Sequence, residues 1–208
     1  MKLYSYYRSS ASYRVRIALR LKQVNYDLIP VHLLNQGGEQ YLPDYRVINP
    51  QSLVPTLDDH GYIITQSLAI IEYLNERYPN PPLLPATAEE RALIRSLALQ
   101  IACEIHPLNN LRVLNQLRQQ FHATDDAVTT WYHHWLKQGF DALETRLSQL
   151  DRTKPVCYGE QISLADLCLI PQVYNARRFN FSLDNYPMIQ AIDAYCLGFS
   201  EFQEDPAA

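Results

Sequence analysis

The sequence of 208 residues has only four cysteines, and none of them belongs to a CxxC pair or to a histidine cluster. We therefore expect neither a disulfide framework nor a metal site, and we predict free, mostly buried thiols. No apolar run reaches the length of about 18 residues that a membrane helix needs. The first residues also lack the apolar core of a signal peptide, so the sequence predicts a cytoplasmic protein without membrane association.

An excess of charge of one sign is also missing. Lysine and arginine together number 18 against 22 acidic residues, so the formal net charge is −4. Nucleic-acid-binding proteins usually carry a strong basic excess, and a nucleic-acid partner is therefore not expected. The composition is 47% hydrophobic and 19% charged, which is typical of a globular protein with one large domain or two small ones.

The two parts of the chain have different patterns. Up to about residue 80, strand-like and helix-like runs alternate, which predicts strands at 2–6, 26–31, 54–57 and 62–64 and helices at 12–22 and 67–77. Four prolines between positions 79 and 85 predict a stiff linker. After the linker we find only helical patterns, at 87–106, at 125–150, from 163 towards 178 and from 187 onward. The sequence predicts a mixed α/β domain at 1–80 and an all-α domain at 86–208.

The first predicted strand meets the first predicted helix in the stretch YYRSSASYRVRIAL, residues 6–19. A helix N-terminus presents unpaired N–H groups and binds anions, and three serines add hydroxyl donors there. No acidic residue occurs from position 2 to position 26, whereas five basic residues follow position 7 in this stretch. The pattern favours a site for a negatively charged group. The plainer alternative is that one serine simply caps the helix.

A second junction of the same kind lies at Thr65, Gln66 and Ser67. The nearby pair Val54 and Pro55 is typical of a turn before a buried strand, where a cis proline is plausible. A redox protein with this order of elements would carry CxxC at the first junction, but this chain has hydroxyls there. If thiol chemistry occurs, the sulfur is expected to come from a ligand.

Three separated motifs, at residues 9–19, 66–74 and 165–172, resemble the glutathione transferases of the zeta class. The resemblance covers essentially the whole chain and implies a thioredoxin-like N-terminal domain followed by an all-helical domain. The class includes maleylacetoacetate isomerases and is close to bacterial maleylpyruvate isomerases. Many zeta proteins have a cysteine where this chain has Ala11, so a mechanism that needs a protein thiol at that position is excluded.

The resemblance also implies roles for individual residues. A serine at the first junction would stabilise the glutathione thiolate; we favour Ser9, with Ser10 close behind, over the rival hydroxyls of Tyr6 and Tyr7. Arginines would bind the substrate carboxylates, and the candidates are Arg8, Arg112 and Arg178, whereas Arg177 is expected to be an ordinary solvated arginine. The full set of implied glutathione-binding residues is Ser9, Ser10, Ala11, Ser12, Tyr13, Arg14, Gln40, Val54, Gln66, Ser67, His106, Asn110, Leu111 and Arg112.

The implied activity is glutathione-dependent cis–trans isomerisation of maleylacetoacetate to fumarylacetoacetate in tyrosine and phenylalanine catabolism. Glutathione would act as a cofactor, the substrate would be a small dicarboxylate, and a homodimer is expected. Maleylpyruvate remains an alternative substrate. A general transferase acting on small electrophiles such as α-haloacids and a binding protein without catalysis are further alternatives.

Overall fold

The computed structural model describes residues 1–203, which divide into two compact units. The first unit comprises Met1–Leu83 and the segment that begins at Phe199, and the second comprises Leu84–Gly198. The sequence did not predict that the end of the chain belongs to the first unit. This segment is held by Arg20, whose guanidinium donates to the carbonyls of Glu201 at 3.3 Å and Gln203 at 2.6 Å.

The first unit contains a four-stranded sheet in the order β2-β1-β3-β4. Its strands are β1 (Lys2–Ser5), β2 (Asp27–Pro30), β3 (Thr56–Asp59) and β4 (Tyr62–Thr65). The β1–β2 pair is parallel, and the other two pairs are antiparallel. The predicted order βαβ followed by ββα is therefore confirmed, with helix α1 at Ser10–Leu21 and helix α3 at Ser67–Arg77. The short helix α2 (Pro43–Ile48) was not predicted.

The core of the first unit lies where α1 and α3 pack together beside the sheet. Val15 and Leu19 from α1 and Ile70 and Leu74 from α3 are fully buried, as is Leu57 of β3. Complete burial of such a side chain contributes about 1.5–3 kcal/mol. This packing fixes the N-terminal ends of α1 and α3, which carry the two serine junctions.

The second unit is helical: α4 (Ala88–Leu99), a π-helix (Gln100–Ile105), α5 (Leu111–Phe121), α6 (Asp125–Ser148), α7 (Leu164–Arg178) and α8 (Pro187–Cys196). The predicted helix at 87–106 is thus α4 continued by the π-helix, and α5 was not predicted. Ser163 and Asp166 form a capping box at the start of α7, where Asp166 accepts hydrogen bonds from the N–H of Ser163 at 2.8 Å and from its hydroxyl at 2.7 Å. Across residues 1–203, no helix is both long enough and apolar enough to cross a membrane.

Candidate functional site

The first junction, between β1 and α1, is closed by Ser9 as the N-cap of α1. Its backbone is extended (φ −81°, ψ 116°), and its Oγ accepts a hydrogen bond from the N–H of Ser12 at 3.2 Å. A serine hydroxyl has one proton and two lone pairs, so this cap leaves the proton of Ser9 able to donate to a bound group. Ser9 is half-buried, whereas Ser10 is only 2% exposed. Capping and ligand binding are therefore compatible at Ser9.

The tyrosine-rich loop before α1 is held by Arg16, a residue that the sequence did not assign to the site. Its guanidinium donates to the Oγ of Ser5 at 3.0 Å and to the carbonyl of Tyr7 at 3.1 Å. Arg14 and Arg16 are each only 1% exposed. The acid-free stretch therefore does not present all of its positive charge to solvent, because these two arginines donate inside the unit, while Arg8 is exposed.

The second junction, between β4 and α3, is formed by Gln66 and Ser67. Gln66 has φ 71° and ψ 118°, a conformation that costs a non-glycine residue about 1–3 kcal/mol. Its side-chain amide donates to Oε1 of Gln51 at 2.8 Å. Ser67 begins α3, and its Oγ accepts a hydrogen bond from Nη1 of Arg14 at 3.3 Å. The structure thus connects the two predicted junctions through a buried arginine.

Val54 precedes a cis peptide bond to Pro55, as the sequence predicted. The loop before it is held by Tyr45, whose hydroxyl donates to the carbonyl of Leu53 at 2.6 Å, and by Asn49, whose amide donates to the same carbonyl at 2.8 Å. Within residues 1–203, the backbone N–H and C=O of Val54 form no hydrogen bond. These two groups can therefore pair with an extended ligand as a neighbouring strand would.

The other predicted residues of the first unit have distinct environments. Gln40 is 5% exposed, and its Oε1 is buried without a hydrogen-bond partner. The ring of Tyr6 packs edge-on against Tyr7, with centroids 4.7 Å apart, and against His32 at 4.9 Å. The guanidinium carbon of Arg8 lies 5.1 Å from the centroid of the Tyr7 ring. Tyr6 thus has a packing role, and Arg8 extends over an aromatic face towards solvent.

The residues that follow Ser10 in α1 differ in their exposure. Ala11 is half-buried, Ser12 is fully buried and Tyr13 is 2% exposed. The Oγ of Ser12 has no hydrogen-bond partner, and the hydroxyl of Tyr13 donates to the carbonyl of Phe202. Tyr13 therefore holds the C-terminal segment against α1, a role that its position in the sequence could not reveal.

The segment from His106 to Arg112 connects the π-helix to α5. The N–H of His106 donates to the carbonyl of Ile101 at 2.9 Å, which is the five-residue spacing of a π-helix. Asn110 is the N-cap of α5, since its Oδ1 accepts the N–H of Arg112 at 3.1 Å. Leu111 is half-buried, and the side chain of Arg112 is exposed. The side-chain oxygen of Asn110 thus accepts the capping hydrogen bond, and its amide hydrogens can donate to a ligand.

Tyr132 on α6 links this segment to the end of α7, and no sequence pattern indicated this role. The side-chain amide of Asn109 donates to the carbonyl of Tyr132 at 3.1 Å, and the Tyr132 ring stacks on Phe179 with centroids 3.7 Å apart. Burial raises the pKa of the Tyr132 hydroxyl, and the charge of Arg178 partly opposes this shift. Arg178 is exposed and donates to Oδ1 of Asn175 at 2.9 Å.

Arg177, expected to be an ordinary solvated arginine, instead forms an ion pair with a buried carboxylate. Its guanidinium lies 2.6 Å from Oδ2 of Asp193, and Asp193 is 1% exposed. A buried carboxylate needs such a partner, because desolvation of an unpaired charge is costly. Burial raises the pKa of Asp193, and the hydrogen bond from Arg177 opposes this shift. Arg177 therefore has a structural role.

Three of the four thiols, those of Cys157, Cys168 and Cys196, are buried, whereas Cys103 is exposed. Burial raises the pKa of the Cys157 thiol and of the Cys196 thiol, and the nearby carboxylate of Asp166 adds to both shifts. A protonated thiol is a poor nucleophile. Among the described residues, no group of three or more histidine, cysteine or acidic side chains is placed to hold a metal ion.

Taken together, the groups of the first unit fit a short, extended, anionic thiol compound. The two helix N-termini at Ser9 and Ser67 suit a thiolate and a carboxylate, because each presents N–H donors and a partial positive charge. The unpaired backbone of Val54 suits an extended peptide, and the unpaired amide oxygen of Gln40 suits a hydrogen-bond donor. The site thus offers a separate contact for each part of such a compound.

Comparison with known proteins places these features in a family. Residues 3–82 match the model of the glutathione S-transferase N-terminal domain. A maleylacetoacetate isomerase from Pseudomonas aeruginosa is 48% identical over 193 residues, which cover 92% of this chain and 89% of that protein.

Two solved structures are similar over nearly their full length. One is a maleylpyruvate isomerase described as a bacterial glutathione S-transferase of the zeta class, with a TM-score of 0.94, 44% identity, and coverage of 97% of this chain and 94% of that one. The other is a maleylacetoacetate isomerase from Methylobacterium extorquens AM1 with bound malonate and GSH, with a TM-score of 0.95, 36% identity, and coverage of 100% and 99%.

Proposed function

The chain belongs to the zeta class of the glutathione transferase family, and on this premise we propose that it is a glutathione-dependent cis–trans isomerase. Its substrate is maleylacetoacetate and its product fumarylacetoacetate, a step of tyrosine and phenylalanine catabolism. The observation that carries the proposal is the first junction, where the N-cap hydroxyl of Ser9 stands at a helix N-terminus that has no cysteine.

Bound glutathione supplies a thiolate, and its reversible addition to the conjugated double bond of the substrate permits rotation about that bond. The protein favours the ionised sulfur by placing the Ser9 hydroxyl and the N-terminus of α1 beside it. Ser10 is a second donor of the same kind. A hydroxyl that already accepts the cap hydrogen bond is oriented before the ligand arrives, so no reorganisation is needed during reaction.

Four further residues hold the glutathione backbone. Ser67, with the N-terminus of α3, binds the carboxylate of the glutamyl end, and Arg14 fixes the Ser67 hydroxyl. Val54 pairs through its unbonded backbone N–H and C=O with the cysteinyl residue, and Gln40 contacts the glycyl end. Gln66 adds a side-chain contact at the glutamyl end.

Arginines bind the two carboxylates of the substrate, because a guanidinium matches a carboxylate with paired hydrogen bonds. In the first unit the exposed candidate is Arg8. In the second unit Arg112 and Arg178 are exposed at helix ends, and Arg178 is held by Asn175. His106 and Leu111 complete the proposed contacts of the second unit. The relative from Methylobacterium extorquens, with bound malonate, supports a dicarboxylate substrate.

Maleylpyruvate is the second candidate substrate. The observation that favours it is the similarity to a maleylpyruvate isomerase structure at a TM-score of 0.94. Both substrates carry the cis double bond and two carboxylates, so the same residues serve either. We also propose a homodimer, which light scattering of the purified protein tests.

The test is an ultraviolet assay of the purified protein with each substrate, in the presence and absence of glutathione. We expect rapid isomerisation only with glutathione, with a higher kcat/KM for maleylacetoacetate. A higher kcat/KM for maleylpyruvate would assign the second substrate. Glutathione binding without turnover of either compound would overturn the isomerase proposal.

A further inference from the structure

Gly139, in the middle of α6, faces the last residue of the π-helix. A Cβ atom at Gly139 would lie 2.2 Å from Cγ1 and 2.3 Å from Cδ1 of Ile105. Carbon atoms in van der Waals contact are about 3.5–4.0 Å apart, so the two side chains could not coexist in these positions. Ile105 is fully buried and β-branched, which leaves it few rotamers to adopt instead.

The other end of the π-helix also contacts Gly139. The side-chain amide of Gln100 donates to the carbonyl of Gly139 at 3.5 Å. Gly139 therefore touches both the first and the last residue of the segment Gln100–Ile105. Glycine is disfavoured in a helix interior, and the backbone here is ordinary α-helix, so close approach of the two helices is the physical reason for a glycine.

Ile105 directly precedes His106, whose N–H closes the last π-type turn on Ile101 at 2.9 Å. Insertions of this type within helices occur frequently at functional sites. Because the backbone is continuous, the depth to which Ile105 packs into α6 determines where the segment from His106 to Arg112 begins.

We propose that Gly139 is a positioning residue for the isomerase. The space left by its missing side chain lets the π-helix approach α6 and sets the position of His106, Asn110 and Arg112. This inference rests on the proposed function, in which these three residues contact glutathione or substrate. Gly139 itself touches neither and acts through Ile105.

The test begins with Gly139→Ala and with the double variant Gly139→Ala/Ile105→Ala. In the double variant the nearest remaining atom, Cβ of residue 105, lies 3.6 Å from the new methyl, which is ordinary contact. We expect Gly139→Ala to lower kcat/KM at least tenfold (about 1.4 kcal/mol) relative to wild type. In the double variant, kcat/KM should lie within threefold of the value for Ile105→Ala alone. The matched control is Gly139→Ala/Ile101→Ala, which truncates another buried isoleucine of the same π-helix and should not restore activity.

Fluorescence gives a readout that does not depend on turnover. The chain has two tryptophans, and the indole N–H of Trp131 donates to the carbonyl of Leu108 at 2.8 Å. In a Trp135→Phe background, we expect Gly139→Ala to shift the emission of Trp131, and Ile105→Ala but not Ile101→Ala to reverse the shift. This readout remains decisive if the wild-type protein proves inactive as an isomerase, so the two proposals can fail separately.

A Gly139→Ala variant with kcat/KM within twofold of wild type and unshifted emission would overturn the inference. Equal rescue by Ile101→Ala would overturn it too. If Gly139→Ala does not fold, the comparison moves to Gly139→Ala/Ile105→Ala and Gly139→Ala/Ile105→Val. The valine variant keeps a Cγ atom near the new methyl and should be at least tenfold less active; equal activity would contradict the proposal.

Discussion

Arg14 on α1 donates a hydrogen bond to the hydroxyl oxygen of Ser67 at the start of α3, over a distance of 3.3 Å. The two residues are 53 positions apart, yet both are at least 90% buried. Each of the helices they join presents its N-terminus at a serine junction. The pair therefore fixes the distance between the proposed thiolate contact and the proposed carboxylate contact.

This relationship predicts coupling between Arg14 and Ser67 in glutathione binding. Arg14→Lys and Ser67→Ala should each weaken glutathione affinity about tenfold, because the first removes the guanidinium that orients the Ser67 hydroxyl and the second removes that hydroxyl. The double variant should lose less affinity than the product of the two single losses, which corresponds to a coupling free energy of about 1 kcal/mol. Calorimetric titration with glutathione measures all four affinities, and strictly multiplicative losses would refute the coupling.

Because the backbone at Gln66 is strained, we expect two substitutions there to differ in protein stability although both weaken glutathione binding. Glycine adopts the observed φ of 71° without the penalty of about 1–3 kcal/mol, whereas alanine retains that penalty. Gln66→Gly should therefore be more stable to denaturant than Gln66→Ala, although both lose the hydrogen bond to Gln51. Both should bind glutathione more weakly than wild type. A Gln66→Ala variant at least as stable as Gln66→Gly would show that the strain has no energetic weight.

Much of the first unit follows from local patterns. The strand–helix order, the start of α3 at Ser67 and the cis bond before Pro55 were all predicted, because each depends on residues close in the chain. The π-helix was missed because Leu97, Ile101 and Ile105 recur every four residues, a spacing that does not distinguish an α-helix from a short π-helix. Helix α2 was missed because six residues are too few for a periodic pattern.

The site residues that the sequence missed act through long-range contacts. Arg16 holds the loop before α1 although its place in the motif at residues 9–19 gave no hint of this contact, and Tyr45 and Tyr132 lie outside all three motifs. The acid-free run around α1 predicted a site for a negatively charged group, but the structure shows that two of its arginines, Arg14 and Arg16, are buried. Sequence spacing identifies the serines, but only the fold shows which charges reach solvent.

Arg8 is predicted to bind a substrate carboxylate. Arg8→Ala should raise the KM for the dicarboxylate about 10–150-fold, which corresponds to the loss of one charged hydrogen bond of about 1.5–3 kcal/mol, and should leave glutathione affinity nearly unchanged. Arg77→Ala is the matched control, because Arg77 is another exposed arginine that lies over the ring of its neighbouring tyrosine. Steady-state kinetics with both variants decide the point. Equal effects of the two substitutions would count against a specific role for Arg8.

We expect the contribution of Lys22 to the free energy of unfolding to rise with pH in the alkaline range. Its ammonium group donates to Oδ1 of Asn75 at 2.9 Å, and burial lowers its pKa from 10.5 to about 8. Between these values the folded protein binds fewer protons than the unfolded chain, so this residue's contribution to the free energy of unfolding increases as pH rises from about 8 to 10.5.

Denaturant unfolding of wild type and Lys22→Met across this pH range measures that contribution. Buried tyrosines and cysteines titrate in both proteins, so the difference between the two curves isolates Lys22. The free energy of unfolding of wild type minus that of Lys22→Met should increase as pH rises. Parallel curves would show that Lys22 has an ordinary pKa in the folded protein.

Ser9 variants separate capping from catalysis. Ser9→Ala should cost about 1 kcal/mol of stability, and Ser9→Gly only a few tenths, because glycine is a tolerable N-cap. Both remove the hydroxyl proposed to stabilise the thiolate, so both should lower kcat about 10–100-fold. Thr124→Ala is the control, because the Thr124 hydroxyl caps α6 by accepting the N–H of Ala127 at 3.2 Å, so its loss should lower stability and leave kcat unchanged.

Ultraviolet titration of the thiol of bound glutathione tests the proposed role of the first junction most directly. In the wild-type protein we expect the pKa of this thiol to lie at least about one unit below that of free glutathione, since a hydroxyl donor and a helix N-terminus both favour the thiolate. Ser9→Gly should reverse a large part of that shift. An unshifted pKa in the wild-type complex would contradict the account.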